Sequence, residues 1–306
     1  MTDILVTGSS QFIGSNLCRA LTREGHNVYG IDINPPEFAL PDAVEMYQAD
    51  LTESPEFPQV EVIVHLAAHS QVQPVVKDPS LALENIEMTK HVLSEAERIG
   101  AAVINASSRD IYGNAIQPNE SEATLNSPNG YAASKVGSEA IANAYRHTRN
   151  VSVTTLRLSN VYGPRDTNSR VIPIFISLAD SGEELTVYGK GKVLDFVHVD
   201  DVVNAIKSTV QRLEAVNGEA INIGSGKGIP LTDVARYISE AIDSCPGWTI
   251  GADRSGDVDR YVSDISKANA LLNYQPSTDF QTGLSETIDW YLNRDAVLEK
   301  IRHSTQ

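Results

Sequence analysis

The sequence predicts an α/β fold in which a doubly wound parallel sheet is joined to a smaller α/β lobe. Short apolar runs alternate along the first half of the chain with segments whose apolar residues recur at helical spacing. Strand alternating with helix predicts a parallel sheet that helices cover on both faces. After about residue 160, proline and glycine interrupt this pattern more often, which predicts the second lobe.

The elements of the first domain follow one another in order. Residues 4–6 form an apolar strand, and the apolar residues after it recur at helical spacing as far as Gly25. A second strand covers 27–31 and ends at Asp32. Further strands are predicted at 62–64, 102–104 and 153–156, with helices at 86–96 and 136–144. We therefore predict a first domain at 1–160.

The second half of the chain, residues 161–306, is predicted to form mainly the second lobe. Residues 195–202 are typical of a strand that leads into a helix, and we assign 195–223 back to the first domain. Helical spacing returns at 234–242 and 284–292.

Composition excludes several classes of protein. No apolar run approaches the ~20 residues of a membrane helix, and no signal peptide precedes the first strand, so we expect a cytoplasmic protein without a membrane partner. The net charge of −16 argues against general nucleic-acid binding. Cys18 and Cys245 lie far apart and outside any metal-ligand spacing, so neither a disulfide framework nor a metal site is expected.

A glycine-containing loop at residues 8–14 joins the first strand to the first helix. Glycine there lets the backbone approach a pyrophosphate, and the start of the helix supplies unpaired N–H groups. Asp32 can accept a hydrogen bond from a ribose 2′-hydroxyl and repel a 2′-phosphate, so NAD is favoured over NADP. A tight turn alone would explain the two glycines; together with Asp32 they predict a Rossmann-type dinucleotide site. The residues assigned to it are Gly8, Gln11, Phe12, Ile13, Gly14, Asp32 and Asn34.

Tyr131 and Lys135 lie four residues apart, just after a helix-start signal at 127–130, and so share one face of a helix. At ~4 Å an ammonium stabilises a phenolate by roughly 4 kcal/mol at an effective dielectric of ~20. That equals about 3 pKa units, enough to bring the phenol towards neutrality, where a general base works best. Tyr188 and Lys192 have the same spacing, but the glycines between them argue against a helix.

Several further motifs occur in a fixed order. They are Thr7-Gly8, Asp50-Leu51, His65-Leu66-Ala67-Ala68, Asn85, Ser107-Ser108 with Ile111-Tyr112-Gly113, Leu156-Arg157 with Asn160-Val161-Tyr162-Gly163-Pro164, Asp195-Phe196-Val197-His198-Val199-Asp200-Asp201 and Arg254-Ser255-Gly256-Asp257. In this order and spacing the chain resembles the extended short-chain dehydrogenase/reductases. The resemblance is to their NAD-dependent nucleotide-sugar epimerase/dehydratase family, and within it to UDP-glucose 4-epimerases.

The resemblance implies roles for individual residues. Asp50 and Leu51 would flank the adenine, and Lys135 would bond the nicotinamide ribose. Further cofactor residues would be Leu66, Ala67, Ala68, Asn85 and Ser107. The catalytic residues would be Ser108, Tyr131 and Lys135. The substrate residues would be Ser108, Arg109, Asn160, Arg170, Val171, Arg254 and Asp257, of which Asn160 and Arg254 would hold the diphosphate. The family further implies a homodimer through the helix near Leu81 and the helix of Tyr131.

The chain departs from the family pattern at three places. Gln11 replaces the central loop glycine, so we expect altered loop geometry or cofactor affinity. Leu194 replaces an arginine that contacts substrate phosphate, a role open to Arg165, Arg170 or Arg254. Arg109 and Asp110 replace small residues of plain 4-epimerases, and an acid at 110 is typical of dehydratases and decarboxylases.

The catalytic residues are compatible with three reactions. In each of them Tyr131 takes the proton of the sugar 4-hydroxyl while hydride leaves for NAD. Return of the hydride to the other face gives a 4-epimer. Loss of water instead gives a 4-keto-6-deoxy sugar, and loss of carbon dioxide from a uronate gives a pentose. Because Arg109 disfavours a proton-holding Asp110 and can meet a carboxylate, we favour 4-epimerisation of a UDP-hexose or UDP-hexuronate. The alternatives are a 4,6-dehydratase, a UDP-glucuronate decarboxylase and a non-catalytic NAD(H)-binding regulator.

Overall fold

The structure is a computed structural model, and it describes residues 1–123, 125, 127–252 and 258–305. Its elements are β1 (Asp3–Thr7), α1 (Phe12–Arg23), β2 (Asn27–Asp32), β3 (Val44–Gln48), β4 (Val62–His65), α2 (Val72–Lys77), α3 (Ser80–Ile99), β5 (Ala102–Ser108), β6 (Ala115–Ile116), α4 (Gly130–Arg149), β7 (Val153–Leu158), β8 (Asn160–Tyr162), α5 (Val171–Asp180), β9 (Leu185–Tyr188), β10 (Val193–His198), α6 (Val199–Val210), α7 (Leu213–Val216), β11 (Ala220–Ile223), β12 (Gly228–Pro230), α8 (Leu231–Ala241), β13 (Trp248–Gly251), β14 (Arg260–Val262), α9 (Ser266–Leu272), α10 (Phe280–Leu292) and α11 (Asp295–Thr305). Single 3₁₀ turns occur at Leu51–Glu53, Arg109–Tyr112 and Glu120–Glu122.

The main sheet contains, within the described residues, seven parallel strands in the order β11-β7-β5-β4-β1-β2-β3. From β1 the chain proceeds to one side through β2 and β3, and to the other side through β4, β5, β7 and β11. The direction reverses between β1 and β4, and such a switch point opens a crevice at the carboxyl ends of the strands where ligands bind. The predicted α/β fold with a doubly wound parallel sheet is confirmed.

Side chains that alternate along β1 belong to two separate cores. Ile4 packs with Leu17 of α1 and Ile206 of α6 on one face of the sheet. Leu5 packs with Val92 of α3 on the opposite face. Both faces of the sheet are therefore covered by helices, as a parallel sheet requires.

The second lobe has its own sheets and its own core. β12, β10, β14 and β6 lie side by side in that order, β8 pairs with β10, and β13 pairs with β9. Phe175 of α5, Ile238 of α8 and Leu284 of α10 are among the buried residues of this core. Within 195–223, β10 belongs to this lobe, whereas α6 packs against the main sheet and β11 joins it. The boundaries of the two domains stay a prediction.

The sequence did not indicate β3 or α5. β3 is an edge strand whose residues are mostly half-buried or exposed, so it has no continuous apolar run. Pro173 is one of the prolines that interrupt the helical pattern after residue 160, yet it lies in the first turn of α5, where a helix has no intrahelical N–H bond to lose. None of the helices that the structure describes is long and apolar enough to span a bilayer.

Candidate active site

The loop after β1 depends on two of its glycines. Gly8 has a φ of +70°, and a Cβ on it would lie 2.9 Å from the backbone nitrogen of Ala67. A Cβ on Gly14 would lie 2.1 Å from the carbonyl oxygen of Gly8. Gln11 has an ordinary φ of −91° and is exposed, so this position does not require glycine. The loop can therefore present its backbone to a pyrophosphate in spite of the departure at Gln11.

Asp32 is held in place at the end of β2, beside this loop. Its Oδ2 accepts a hydrogen bond from the backbone N–H of Ser10 at 3.0 Å, and its Oδ1 accepts one from the N–H of Asn34 at 3.0 Å. Burial raises the pKa of the Asp32 carboxyl, and the backbone hydrogen bonds oppose the rise. No arginine or lysine of the described chain contacts this carboxylate, which suits a ribose diol better than a phosphate.

The segment after β4 forms the opposite wall of the crevice. Thr7 Oγ1 accepts hydrogen bonds from the backbone N–H groups of Leu66 and Ala67, both at 3.2 Å, so these residues and Ala68 are fastened against the glycine loop. Asp50 begins the turn after β3, where its Oδ1 accepts from the Thr52 N–H at 2.8 Å. Leu51 is buried behind it.

Two buried polar atoms in β5 lack hydrogen-bond partners among the described residues. They are the Oγ of Ser107 and the Nδ2 of Asn105. An unsatisfied buried group costs about 1–3 kcal/mol. Ser107 is therefore available to a polar ligand at the carboxyl end of the sheet, and the crevice fits a dinucleotide.

Asn85 lies behind the crevice, and its contact with the cofactor stays a prediction. Its side-chain Nδ2 donates to Ser134 Oγ at 3.0 Å and to the His69 carbonyl at 3.3 Å. Its Oδ1 accepts from the His69 N–H at 2.7 Å. Both amide protons are used within the protein, and through one of them Asn85 holds Ser134, which lies between Tyr131 and Lys135 on α4.

Tyr131 and Lys135 lie in the first turns of α4 on one face, as the sequence indicates. Asn129 caps this helix, because its side chain accepts from the Ala132 N–H at 2.9 Å. The Lys135 ammonium lies 5.9 Å from the centre of the Tyr131 ring and donates to the carbonyl of Ala106 at 2.9 Å.

Unlike Tyr131 and Lys135, Tyr188 and Lys192 do not lie on one helix, as the sequence predicts. Tyr188 ends β9, and Lys192 follows a turn rather than lying one helical turn away.

The predicted effect of Lys135 on the phenol is wrong for this arrangement of the chain. Burial, followed by the nearby charge of Asp110, raises the pKa of Tyr131 to about 12. The hydrogen bond to Ser108 and the charges of Arg170 and Arg109 oppose the rise. The Lys135 ammonium donates to a backbone carbonyl, and burial lowers its own pKa to about 8.

Replacement of Lys135 by methionine is expected to stabilise the fold at neutral pH. A pKa that falls from 10.5 to about 8 on burial corresponds to about 3 kcal/mol of destabilisation. Loss of the bond to Ala106 offsets about 1 kcal/mol, which leaves a gain of about 2 kcal/mol. Because the folded pKa lies below the unfolded one, this gain is full below pH 8 and is lost as the pH rises towards 10.5.

Urea unfolding of the wild type and Lys135→Met at pH 7 and at pH 10 measures this effect. Exposed Lys90, changed to methionine, is the matched control on a neighbouring helix. A gain that does not depend on pH, or a loss at pH 7, would contradict the burial argument.

Ser108 and Asp110 form a hydrogen-bonded pair at the end of β5. Ser108 caps the 3₁₀ turn at 109–112, and its Oγ accepts from the Asp110 N–H at 3.2 Å. The same hydroxyl donates to Asp110 Oδ2 at 3.0 Å. Ser108 also lies close enough to Tyr131 to lower the pKa of the phenol, so the phenol, the Ser108 hydroxyl and the Asp110 carboxylate lie together at this end of β5.

Arg109 joins this turn to the second lobe. Its Nη2 donates to Asn160 Oδ1 at 3.2 Å and lies 3.5 Å from Asp110 Oδ1. The guanidinium carbon lies 5.6 Å from the centre of the Tyr261 ring. Nη1 is buried and has no hydrogen-bond partner among the described residues.

The other predicted substrate residues are only partly brought together. Arg170 immediately precedes α5 without a side-chain capping bond. It forms an ion pair with Asp166 at 3.3 Å, and its guanidinium lies over the Phe12 ring. Leu194 is buried in the core of the second lobe. Arg254 and Asp257 lie outside the described residues.

A buried ion pair was not assigned a role from the sequence. Arg157 of β7 donates to Glu139 of α4 at 3.0 and 2.7 Å. Its Nη1 donates to the Tyr112 hydroxyl at 2.7 Å and to the Glu120 carbonyl at 2.8 Å. These contacts tie α4 to the turn at 109–112. The sequence feature that could have indicated this ion pair is a charged residue, Arg157, inside an otherwise uncharged, buried strand.

Comparisons with known proteins agree with this geometry. A model of the NAD dependent epimerase/dehydratase family matches residues 4–224. The dTDP-glucose 4,6-dehydratase of Streptomyces griseus is 31% identical to the chain, over 95% of this chain and 94% of the relative. The UDP-glucose 4-epimerase of Mycolicibacterium smegmatis is 30% identical, over 95% and 98%.

A solved structure extends the likeness to a cofactor-bound protein. The dTDP-glucose 4,6-dehydratase DesIV of Streptomyces venezuelae, solved with NAD bound, matches with a TM-score of 0.89 and 28% identity, over 98% of this chain and 99% of that one. The chain therefore belongs to the NAD dependent epimerase/dehydratase family, and its cofactor is NAD.

Proposed function

We propose that this enzyme is a nucleotide-sugar 4-epimerase that acts on a UDP-hexose or a UDP-hexuronate through a transient 4-keto sugar. The contact between Arg109 and Asp110 carries the proposal. One oxygen of the Asp110 carboxylate accepts from Ser108 and the other faces the guanidinium at 3.5 Å. With a donor at each oxygen this carboxylate serves as an acceptor within the protein, and the turn at 109–112 contains no second carboxyl group to expel a C6 hydroxyl.

The residues around the phenol suit the removal of a hydroxyl proton from the sugar. Bound NAD supplies a hydride acceptor that can also return the hydride to the sugar. Tyr131 accepts the proton of the C4 hydroxyl, and Ser108 orients the oxygen and relays the proton. Return of this proton from Tyr131 after the ketone has turned over completes the inversion at C4.

The high pKa of Tyr131 requires that the phenol first lose its own proton. The positive charges of Arg109 and Arg170 lower the pKa of the phenol and so favour the phenolate. The Lys135 ammonium on the same helix face adds positive charge on the side of Ala106.

Asp110 itself favours a second candidate reaction. A carboxylate beside the catalytic hydroxyl can abstract a proton from C5 once C4 is a ketone, as dehydration requires. Expulsion of the C6 hydroxyl then needs an acid, and Arg109 stays protonated and cannot supply the proton. Loss of carbon dioxide from a UDP-glucuronate needs no such acid, so decarboxylation is the stronger of the two alternatives.

A panel of UDP-, dTDP-, GDP- and CDP-sugars, incubated with the enzyme and NAD, tests the proposal. We expect a UDP-sugar product of unchanged mass with inverted C4, seen by mass spectrometry and NMR. A loss of about 18 mass units would instead show dehydration, and a loss of about 44 decarboxylation. Protein that retains NADH and converts no sugar would be a regulator rather than an enzyme.

We also propose that the enzyme is a homodimer in which α3 and α4 of one protomer pack against those of its partner. The two helices lie side by side, and α3 leaves Leu83 69% exposed. Covering such a side chain is favourable by about 25 cal/mol per Å² of apolar area. Sedimentation at monomer mass over a wide concentration range would contradict this assembly.

A further inference from the structure

Arg109 lies close to the catalytic hydroxyl. It follows Ser108 directly in the chain, and its Nη2 is 3.5 Å from the Asp110 carboxylate, whose other oxygen lies 3.0 Å from Ser108 Oγ. Its side chain is only 13% exposed. The Asp110 carboxylate therefore links the guanidinium to the Ser108 hydroxyl, which in the proposed function orients the sugar C4 oxygen.

The hydrogen-bonding capacity of Arg109 is not used up by the protein. An arginine has five N–H donors, yet the contact to Asn160 Oδ1 at 3.2 Å is its one side-chain hydrogen bond among the described residues. Its Nη1 is buried and unpartnered there. Asp110 faces the guanidinium at 3.5 Å and offsets part of its charge. What this side chain has left for a ligand is the donors of Nη1.

A second guanidinium adds positive charge to the same place. Arg170, at the start of α5, lies near enough to Tyr131 that its charge, like that of Arg109, lowers the pKa of the phenol. The chain as a whole carries a net charge of −16. Asp110 and Asp166 each pair with one of these guanidiniums, so the charge around the phenol is roughly balanced, in contrast to the negative chain as a whole. Arginine donors that the protein leaves unused in such a place favour an anionic ligand.

We infer that the hexose accepted at this site is a hexuronate, and that Arg109 recognises its C6 carboxylate. The inference rests on the proposed 4-epimerase, since Ser108 and Tyr131 then hold the C4 oxygen. The inferred pose puts C6, which is attached to C5 next to C4, beside Arg109. The diphosphate is attached at C1, across the ring, so in this pose Asn160, which Arg109 contacts at 3.2 Å, binds the sugar and not the diphosphate. A planar carboxylate matches the guanidinium in a bidentate pair, which a hydroxymethyl group does not.

The test compares UDP-glucuronate with UDP-glucose as substrates of the wild type, Arg109→Gln and Arg109→Lys. The wild type is expected to prefer the glucuronate in kcat/KM by about 100-fold, and this ratio is expected to collapse in Arg109→Gln. Arg109→Lys keeps the positive charge but loses the planar guanidinium that binds a carboxylate through two hydrogen bonds. It should therefore recover only part of the preference for glucuronate. Arg236→Gln, on the surface of α8 and ion-paired with Glu240, is the control and should leave both rates unchanged.

The outcomes separate this inference from the proposed function. Faster epimerisation of UDP-glucose than of UDP-glucuronate by the wild type would overturn the inference and leave the 4-epimerase intact. An equal loss for both sugars in Arg109→Gln would also overturn it, because Arg109 would then bind a part that they share, such as the diphosphate. Release of carbon dioxide from UDP-glucuronate would refute the epimerase, while a glucuronate-specific loss in Arg109→Gln would still support carboxylate recognition.

Discussion

Replacement of Tyr131 by phenylalanine is expected to lower kcat by about 10³-fold, because the site then has no group to take the proton of the sugar hydroxyl. The ring stays in place in α4, where it is 8% exposed. Ser108 keeps its hydrogen bond to Asp110. The fold and the binding of NAD should therefore persist while turnover is lost.

Turnover of the best substrate in the panel, measured under single-turnover conditions, checks this expectation. NAD binding and circular dichroism show whether the variant is folded. The control is Tyr188→Phe, which removes a hydroxyl from the tyrosine of the pair at 188 and 192, at the end of β9. Activity of Tyr131→Phe within tenfold of the wild type would mean that another group is the base.

Replacement of Glu139 by alanine is expected to destabilise the fold by about 3–5 kcal/mol, the usual cost of leaving a buried charge without its partner. The Arg157 side chain is 7% exposed and the Glu139 side chain 13%. Glu139 raises the pKa of the Arg157 guanidinium, and burial opposes the rise. Denaturant unfolding at pH 7 measures the change.

A double variant separates the buried charge from the lost packing. Glu139→Met combined with Arg157→Met removes both charges and should be more stable than Glu139→Ala. The surface pair Arg236 and Glu240 is the matched control, and Glu240→Ala should leave the unfolding midpoint almost unchanged. A Glu139→Ala midpoint equal to that of the wild type would show that Arg157 finds sufficient solvation without its partner.

Replacement of Glu139 is also expected to change the catalytic activity. Arg157 holds the Tyr112 hydroxyl at 2.7 Å, and Tyr112 ends the turn that carries Arg109 and Asp110. Glu139 also raises the pKa of Lys135, which lies one helical turn before it. A folded Glu139→Gln enzyme should therefore show an altered pH profile of kcat as well as reduced stability.

Patterns among neighbouring residues were sufficient to predict the strands, loop and helix that hold the site. The strand ending at Asp32, the glycines of the first loop and the cap at Asn129 were all read from residues within a few positions of one another. Periodicity, capping and backbone freedom depend on such near neighbours. For the same reason β3, a half-exposed edge strand, and α5, which contains Pro173, gave too little local signal.

The amino-acid sequence by itself determined the parallel α/β sheet, the crevice beside Gly8 and the helix that presents Tyr131 with Lys135. Only the tertiary structure decided that the Lys135 ammonium bonds the Ala106 carbonyl, that burial raises the pKa of Tyr131, and that Arg109 meets Asn160 some fifty residues away. Charge states and polar pairs depend on burial and on side chains that are distant in the chain, and no local spacing contains that information.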